Sequence, residues 1–101
     1  MNFTKIEKKA INYLLVKLMK ADGITDINEA LTLYEISNLI KLSINESQES
    51  LKMDYEECKK VINSMEAYNK RVTREYFNHM AATDGNVAKS EQDMINDIFE
   101  D

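Results

Sequence analysis

Thr4-Lys5-Ile6-Glu7 has the form of a capping box, in which a hydroxyl and a carboxylate each take an otherwise orphan backbone amide. From it, Ile6, Ala10, Tyr13, Leu14, Leu18 and Ala21 recur at three- and four-residue spacing, while Lys5, Lys8, Lys9 and Lys20 sit largely off that stripe. The spacing predicts a first helix of about four turns with one apolar face. Gly23 is expected to end it, because glycine accepts the left-handed conformation that closes a helix.

Asp26-Ile27-Asn28-Glu29 opens the next segment, where Ile27, Ala30, Leu31, Tyr34 and Ile40 form a stripe that Leu33, Ile36 and Leu39 widen. That pattern predicts a helix over about 27 to 41, buried on more than one side. Ser43-Ile44-Asn45-Glu46 and Asp54-Tyr55-Glu56-Glu57 predict a short polar helix near 44 to 52 and a longer one near 55 to 69. The longer one would bury Tyr55, Cys58, Val61, Ile62, Met65 and Tyr68. A fifth helix over roughly 71 to 83 presents Val72, Tyr76, Phe77 and Met80, and Gly85 stops it. The last starts at about 88, with Met94, Ile95, Ile98 and Phe99 inward. The fold class is therefore all-α: a small bundle of about six short helices.

Composition supports this. The chain of 101 residues has no Pro and two Gly, too little turn chemistry for an all-β fold. Its length allows one core, residues 1 to 101 forming a single domain, and excludes large dinucleotide folds. Nothing approaches 18 uninterrupted apolar residues, so no membrane span is expected. The apolar stretch from Ile11 to Met19 is interrupted by Asn12 and Lys17 and lacks a small-residue cleavage site, which argues against a signal peptide. A lone Cys58 cannot form an intramolecular disulfide, and a cytoplasmic location follows as the default.

Charge narrows the partners. The net charge is −5, which argues against nucleic acid, since that binding needs Lys and Arg to neutralise phosphates. Residues 1 to 20 carry five Lys against one Glu, whereas 21 to 69 sum to −6 and 70 to 101 to −3. The acidic stretch suits a protein partner with a basic surface. The tail from Glu91 to Asp101 holds five acidic residues and no basic ones, and reads as a solvated helix face with a frayed end.

Both glycines share the same company: Asp22-Gly23 with Glu29, and Asp84-Gly85 with Glu91, offset by 62 at each matched position. Ala21 then opposes Thr83 and Leu18 opposes Met80, so each copy reads helix, Asp-Gly turn, helix. Asp22 and Asp84 would stand at helix C-termini, where the helix dipole disfavours a carboxylate. Two accounts are open. In one, each Asp folds back on its own turn and each Glu completes a capping box. In the other, Asp22, Asp26, Glu29, Asp84 and Glu91 gather oxygen ligands for a divalent cation such as Ca²⁺, Mg²⁺ or Mn²⁺. The spacing is not that of an EF-hand, which needs eleven positions from first Asp to last Glu.

His79 and Cys58 each lack a sequence-adjacent partner for a zinc site or a nucleophile–base pair. Without a phosphate cradle or a His partner for its carboxylates, the chain indicates no enzyme class. The scattered Met65, Met80 and Met94 read as core filler.

The string Leu15-Val16-Lys17-Leu18-Met19-Lys20-Ala21-Asp22-Gly23 with Glu29, echoed by Met80-Ala81-Ala82-Thr83-Asp84-Gly85-Asn86-Val87 with Glu91, resembles the TerB-like family. That family includes bacterial tellurite-resistance proteins and a region of membrane-anchored DnaJ-like co-chaperones. The resemblance implies an all-helical fold with an internal repeat, a role in tellurite or metal stress, and an acidic patch for which metal binding has been proposed. Asp22, Glu29, Asp84 and Glu91 are the matching positions. The second copy departs from the pattern at Thr83 and Ala88, and the likeness is weak from about 43 to 70. The alternative is a non-catalytic interaction module, an acidic helical adaptor or inhibitor, whose Asp-Gly turns are purely structural.

Overall fold

Side-chain caps begin four of the helices, because the first amides of a helix have no partner within it. Thr4 Oγ1 accepts from the Glu7 amide at 3.2 Å while the Thr4 amide donates to Glu7 Oε1 at 2.8 Å, a complete box. Ser43 and Glu46 build a second, at 3.0 and 2.8 Å. Asp54 accepts from the Glu57 amide at 2.8 Å, and Asp26 accepts from the Asn28 amide at 2.7 Å. The computed structural model describes residues 2–21, 23, 26–83 and 87–100. Over these the elements are α1 (Lys5–Met19), α2 (Ile27–Leu39), α3 (Ile44–Ser50), α4 (Tyr55–Asn63), α5 (Ala67–Ala81) and α6 (Lys89–Ile98). No strand occurs among the described residues.

Helix ends differ from the sequence expectation, and three of the differences have a visible cause. α1 stops at Met19, and Gly23 (φ +78°) closes the following turn by donating to the Lys20 carbonyl at 3.1 Å. α2 stops at Leu39 because Lys41 adopts φ +59° and the Leu42 amide turns back to the Ser37 carbonyl at 2.9 Å. This is a left-handed closure in which lysine stands where glycine is usual. The largest shift concerns α4 and α5, which meet at Glu66 rather than near 70. Asn63 Nδ2 bonds the Lys59 carbonyl and Ser64 Oγ the Lys60 carbonyl, back-bonding that competes with helix continuation. Tyr68 consequently belongs to α5 and is exposed rather than buried.

α1 is the central element and packs on each of the other five helices, most extensively on α4 and α3. Ala10, Ile11, Leu14, Leu15, Leu18 and Met19 are buried, so the inward face of α1 takes in Ile11, Leu15 and Met19 beside the predicted stripe. Its first apolar residue, Ile6, is exposed. Against α1 lie Ile36 of α2, Cys58 and Ile62 of α4, Phe77 and Met80 of α5, and Ile95 and Ile98 of α6. The Phe77 ring meets Phe99 edge to face at 5.1 Å. Asn12, also buried, donates to Ser50 Oγ at 2.9 Å and so ties α1 to α3 without leaving its amide nitrogen unpaired.

α2 buries one side only, contrary to the expectation of burial on several. Glu29, Thr32 and Ile36 face inward, while Ile27 (74% exposed), Leu31 and Tyr34 (68%) form an outer apolar strip. Its hydrophobic surplus is thus a surface feature. The acidic tail is also corrected at its end. Ile98 and Phe99 are buried, Asn63 Nδ2 bonds the Ile98 carbonyl at 2.7 Å, and the Glu100 amide donates to Asn63 Oδ1 at 3.0 Å. The chain is fastened there through residue 100. Tyr55 Oη donates to Asp97 at 2.6 Å and Lys59 pairs with Asp97 and Glu100, adding further links from α4 to α6 and its end.

Burial separates the two kinds of apolar residue energetically. Leu14→Ala should cost about 2–5 kcal/mol by opening a cavity under α1. Leu31→Asp on the outer strip should change stability by no more than about 0.5 kcal/mol. Urea unfolding of both variants checks the contrast.

Glu46 supplies a pH handle. The Ser43 amide, helped by the Ser43 hydroxyl and the Lys8 ammonium at 3.5 Å, holds its carboxyl below the ordinary glutamate range. A lowered folded pKa means the contribution is complete above the unfolded value of about 4.3 and vanishes as pH falls through the folded one. Thermal melts between pH 7 and 2 should therefore show a shallower acid loss in Glu46→Gln than in the wild type.

Candidate functional site

The first turns of α2 and α6 bring carboxylates into the protein. In both helices a glutamate is the third residue, Glu29 in α2 and Glu91 in α6, and both are nearly inaccessible, at 4% and 2% exposure. Their burial follows from register. Glu91 precedes Ile95 and Ile98 by four and seven residues, and Glu29 precedes Thr32 and Ile36 by three and seven, so each glutamate continues the inward stripe of its helix. That continuity is visible in the sequence and would have marked both side chains as inward; a capping role alone does not require burial.

Glu91 Oε1 accepts from the Ala88 amide at 3.2 Å, half of a capping box whose hydroxyl half is missing because Ala88 has none to offer. Its other oxygen, Oε2, is buried and has no hydrogen-bond partner among the described residues. A buried carboxylate oxygen without a partner is costly, although the positive end of a helix dipole offsets part of that cost. Such an atom suits a water or a cation.

The five residues expected to form an acidic site are placed as follows. Asp26 is the N-cap of α2, half-buried and engaged with the Asn28 amide. Glu29 and Glu91 are the buried third residues just described. Asp22 and Asp84 lie outside the described residues. Among the described residues no group of three or more His, Cys, Asp or Glu side chains is arranged to hold a metal ion. α2 packs on α1 and α5, and α6 packs on α5, α1 and α4, so the two glutamate-bearing helices share the α1 and α5 framework.

Helix bounds carry the same 62-residue offset as the motifs. α1 and α5 both run fifteen residues, from 5 to 19 and from 67 to 81, and α2 and α6 begin at 27 and 89. Their surroundings differ: α1 is the central helix, whereas α5 packs on α1, α2 and α6.

The remaining candidates are simpler. His79 is exposed. Cys58 is fully buried in α4, and burial, followed by the charges of Glu57 and Asp54, pushes its thiol up to about 12. The nucleophilic thiolate is then scarce near neutrality. The native protein should accordingly leave a disulfide reagent such as DTNB unreacted at pH 8 for as long as it stays folded, and titrate one thiol per chain in denaturant. Fast labelling of the folded protein is the contrary result.

No family model matches the chain, and neither a curated protein nor a solved structure is detectably similar to it.

Proposed function

We propose that this is a TerB-like helical protein of the cytoplasm that acts without catalysis in tellurite or other metal stress. Its acidic turns, Asp22 with Asp26 and Glu29, and Asp84 with Glu91, would take a divalent cation (Ca²⁺, Mg²⁺ or Mn²⁺) or a basic partner surface. The observation that carries this reading is Oε2 of Glu91, buried at the start of α6 and without a hydrogen-bond partner among the described residues. A second inward glutamate, Glu29, at the same helical position of α2 supports it. Hard oxygen ligands suit these ions, and bound cation would supply the positive charge that the orphaned oxygen lacks.

The test is calorimetric titration of metal-free protein with Ca²⁺, Mg²⁺ and Mn²⁺, paired with thermal melts. Saturable binding should raise the melting temperature by several degrees, because a ligand of the native state stabilises it by mass action. Glu91→Gln keeps the oxygen that accepts from the Ala88 amide and removes the charge. It should weaken binding at least tenfold and leave the unliganded fold no less stable. Asp22→Asn should weaken binding likewise. Absence of saturable binding with every ion would defeat the cation reading.

One observation favours the alternative of a pure interaction module: Ile27, Leu31 and Tyr34 form an exposed apolar strip along the outer side of α2. In that reading the Asp-Gly turns are structural. Silence toward cations together with an unchanged fold in Asp22→Asn would favour it.

A further inference from the structure

α3 packs along the first half of α1 and then stops. On that half Lys8 pairs with Glu46 at 3.5 Å and Lys9 with Glu49 at 3.7 Å, so these lysines are matched by carboxylates of α3. Asn12 meets Ser50, the final residue of α3. α1 then continues for about two more turns, and the chain following α3 brings Leu51 and Lys52 in place of further acids.

Tyr13, Val16, Lys17 and Lys20, with Leu51, line a groove of about 170 Å³ beside these turns. Tyr13 and Val16 are half-buried, whereas Leu51 is 70% exposed, a large apolar side chain left uncovered at the edge. Lys17 and Lys20 are exposed. The Lys17 ammonium stands over the Tyr13 ring at 5.6 Å, a contact that leaves its charge in place. Neither lysine forms an ion pair with a described carboxylate, in contrast to Lys8 and Lys9 on the same helix. Residues 1 to 20 carry five Lys against one Glu in a chain of net charge −5, so this face opposes the charge of the whole.

Volume and charge together select the occupant. A cavity of about 150 Å³ holds a benzene-sized group, so the groove accepts one large apolar side chain. It falls below the usual size of small-molecule sites. Two ammonium groups on apolar stems at its rim suit carboxylates that flank that side chain. A recess also fits a projecting side chain better than it fits the plane of a bilayer.

We propose that this groove docks an acidic segment of another protein, which seats one Phe or Leu against Val16 and Leu51 and sets neighbouring carboxylates on Lys17 and Lys20. The site uses none of the acidic turns and stands independently of the cation reading.

Titration of the ¹⁵N-labelled protein with a short synthetic peptide, Glu-rich around a single Phe, tests it. Saturable amide shifts should centre on residues 13 to 20 and 51. Peptides with Ser in place of the Phe, or Lys in place of the Glu residues, should each bind at least tenfold more weakly, and salt at about 0.5 M should weaken the original peptide by screening. Lys17→Gln and Lys20→Gln should each weaken binding at least threefold, whereas Lys60→Gln, exposed on α4 and outside the groove, should not. Leu51→Ser removes an exposed side chain and should weaken binding at least fivefold with no loss of melting temperature. Shifts that do not saturate, or equal affinity in Lys17→Gln, Lys20→Gln and Lys60→Gln, would overturn the proposal. Binding to phosphatidylserine vesicles with no response to the peptide would assign the face to a membrane, and groove shifts on concentrating the protein alone would assign it to a second copy; either result also overturns it.

Discussion

Burial of the broad inward face of α1 is the constraint on which the other helices depend. A helix apolar on one stripe needs one neighbour; Ala10, Ile11, Leu14, Leu15 and Leu18 between them face several directions and must be covered from all of them. The five remaining helices are short, and isolated helices of seven to fifteen residues are marginal in water. Each gains its stability largely by closing one side of α1. The polar contact from Asn12 to Ser50 works within that cover, because a buried amide without a partner would cost more than the bond contributes.

Once α1 is enclosed, the ends of the bundle are tied by polar side chains. Asn63 both terminates α4 and holds the backbone at Ile98 and Glu100, so one residue stops a helix and fastens the chain's far end. Tyr55 and Lys59 reach the same region through Asp97. Hydrogen bonding from Tyr55, then from Lys59, holds the Asp97 carboxyl below its ordinary range despite the opposing effect of desolvation. α4 and α6 are thereby joined at their polar edges as well as through the core.

Charge is distributed with local purpose on this acidic protein. Carboxylates cluster at helix starts, where the dipole favours them, and two of them, Glu29 and Glu91, are carried inward by the register of their helices. The arginines collect instead on α5, away from those starts and beside aromatic rings.

Local rules in the sequence by itself determined the helical class and most helix starts, since Thr4, Ser43, Asp54 and Asp26 cap through atoms only two or three residues away. Inward residues of α6 were legible for the same reason, through the spacing of Ile95 and Ile98. Tertiary packing decided what spacing alone leaves open. α2 carries apolar residues on opposite sides, and only the positions of α1 and α5 selected which side was covered. The break between α4 and α5 has no Gly or Pro to announce it, because it rests on Asn63 and Ser64 turning to their own helix and on contacts 35 residues away. Glu91 looked like a cap and is one; that its second oxygen lies buried and unpartnered among the described residues depends on everything packed around α6.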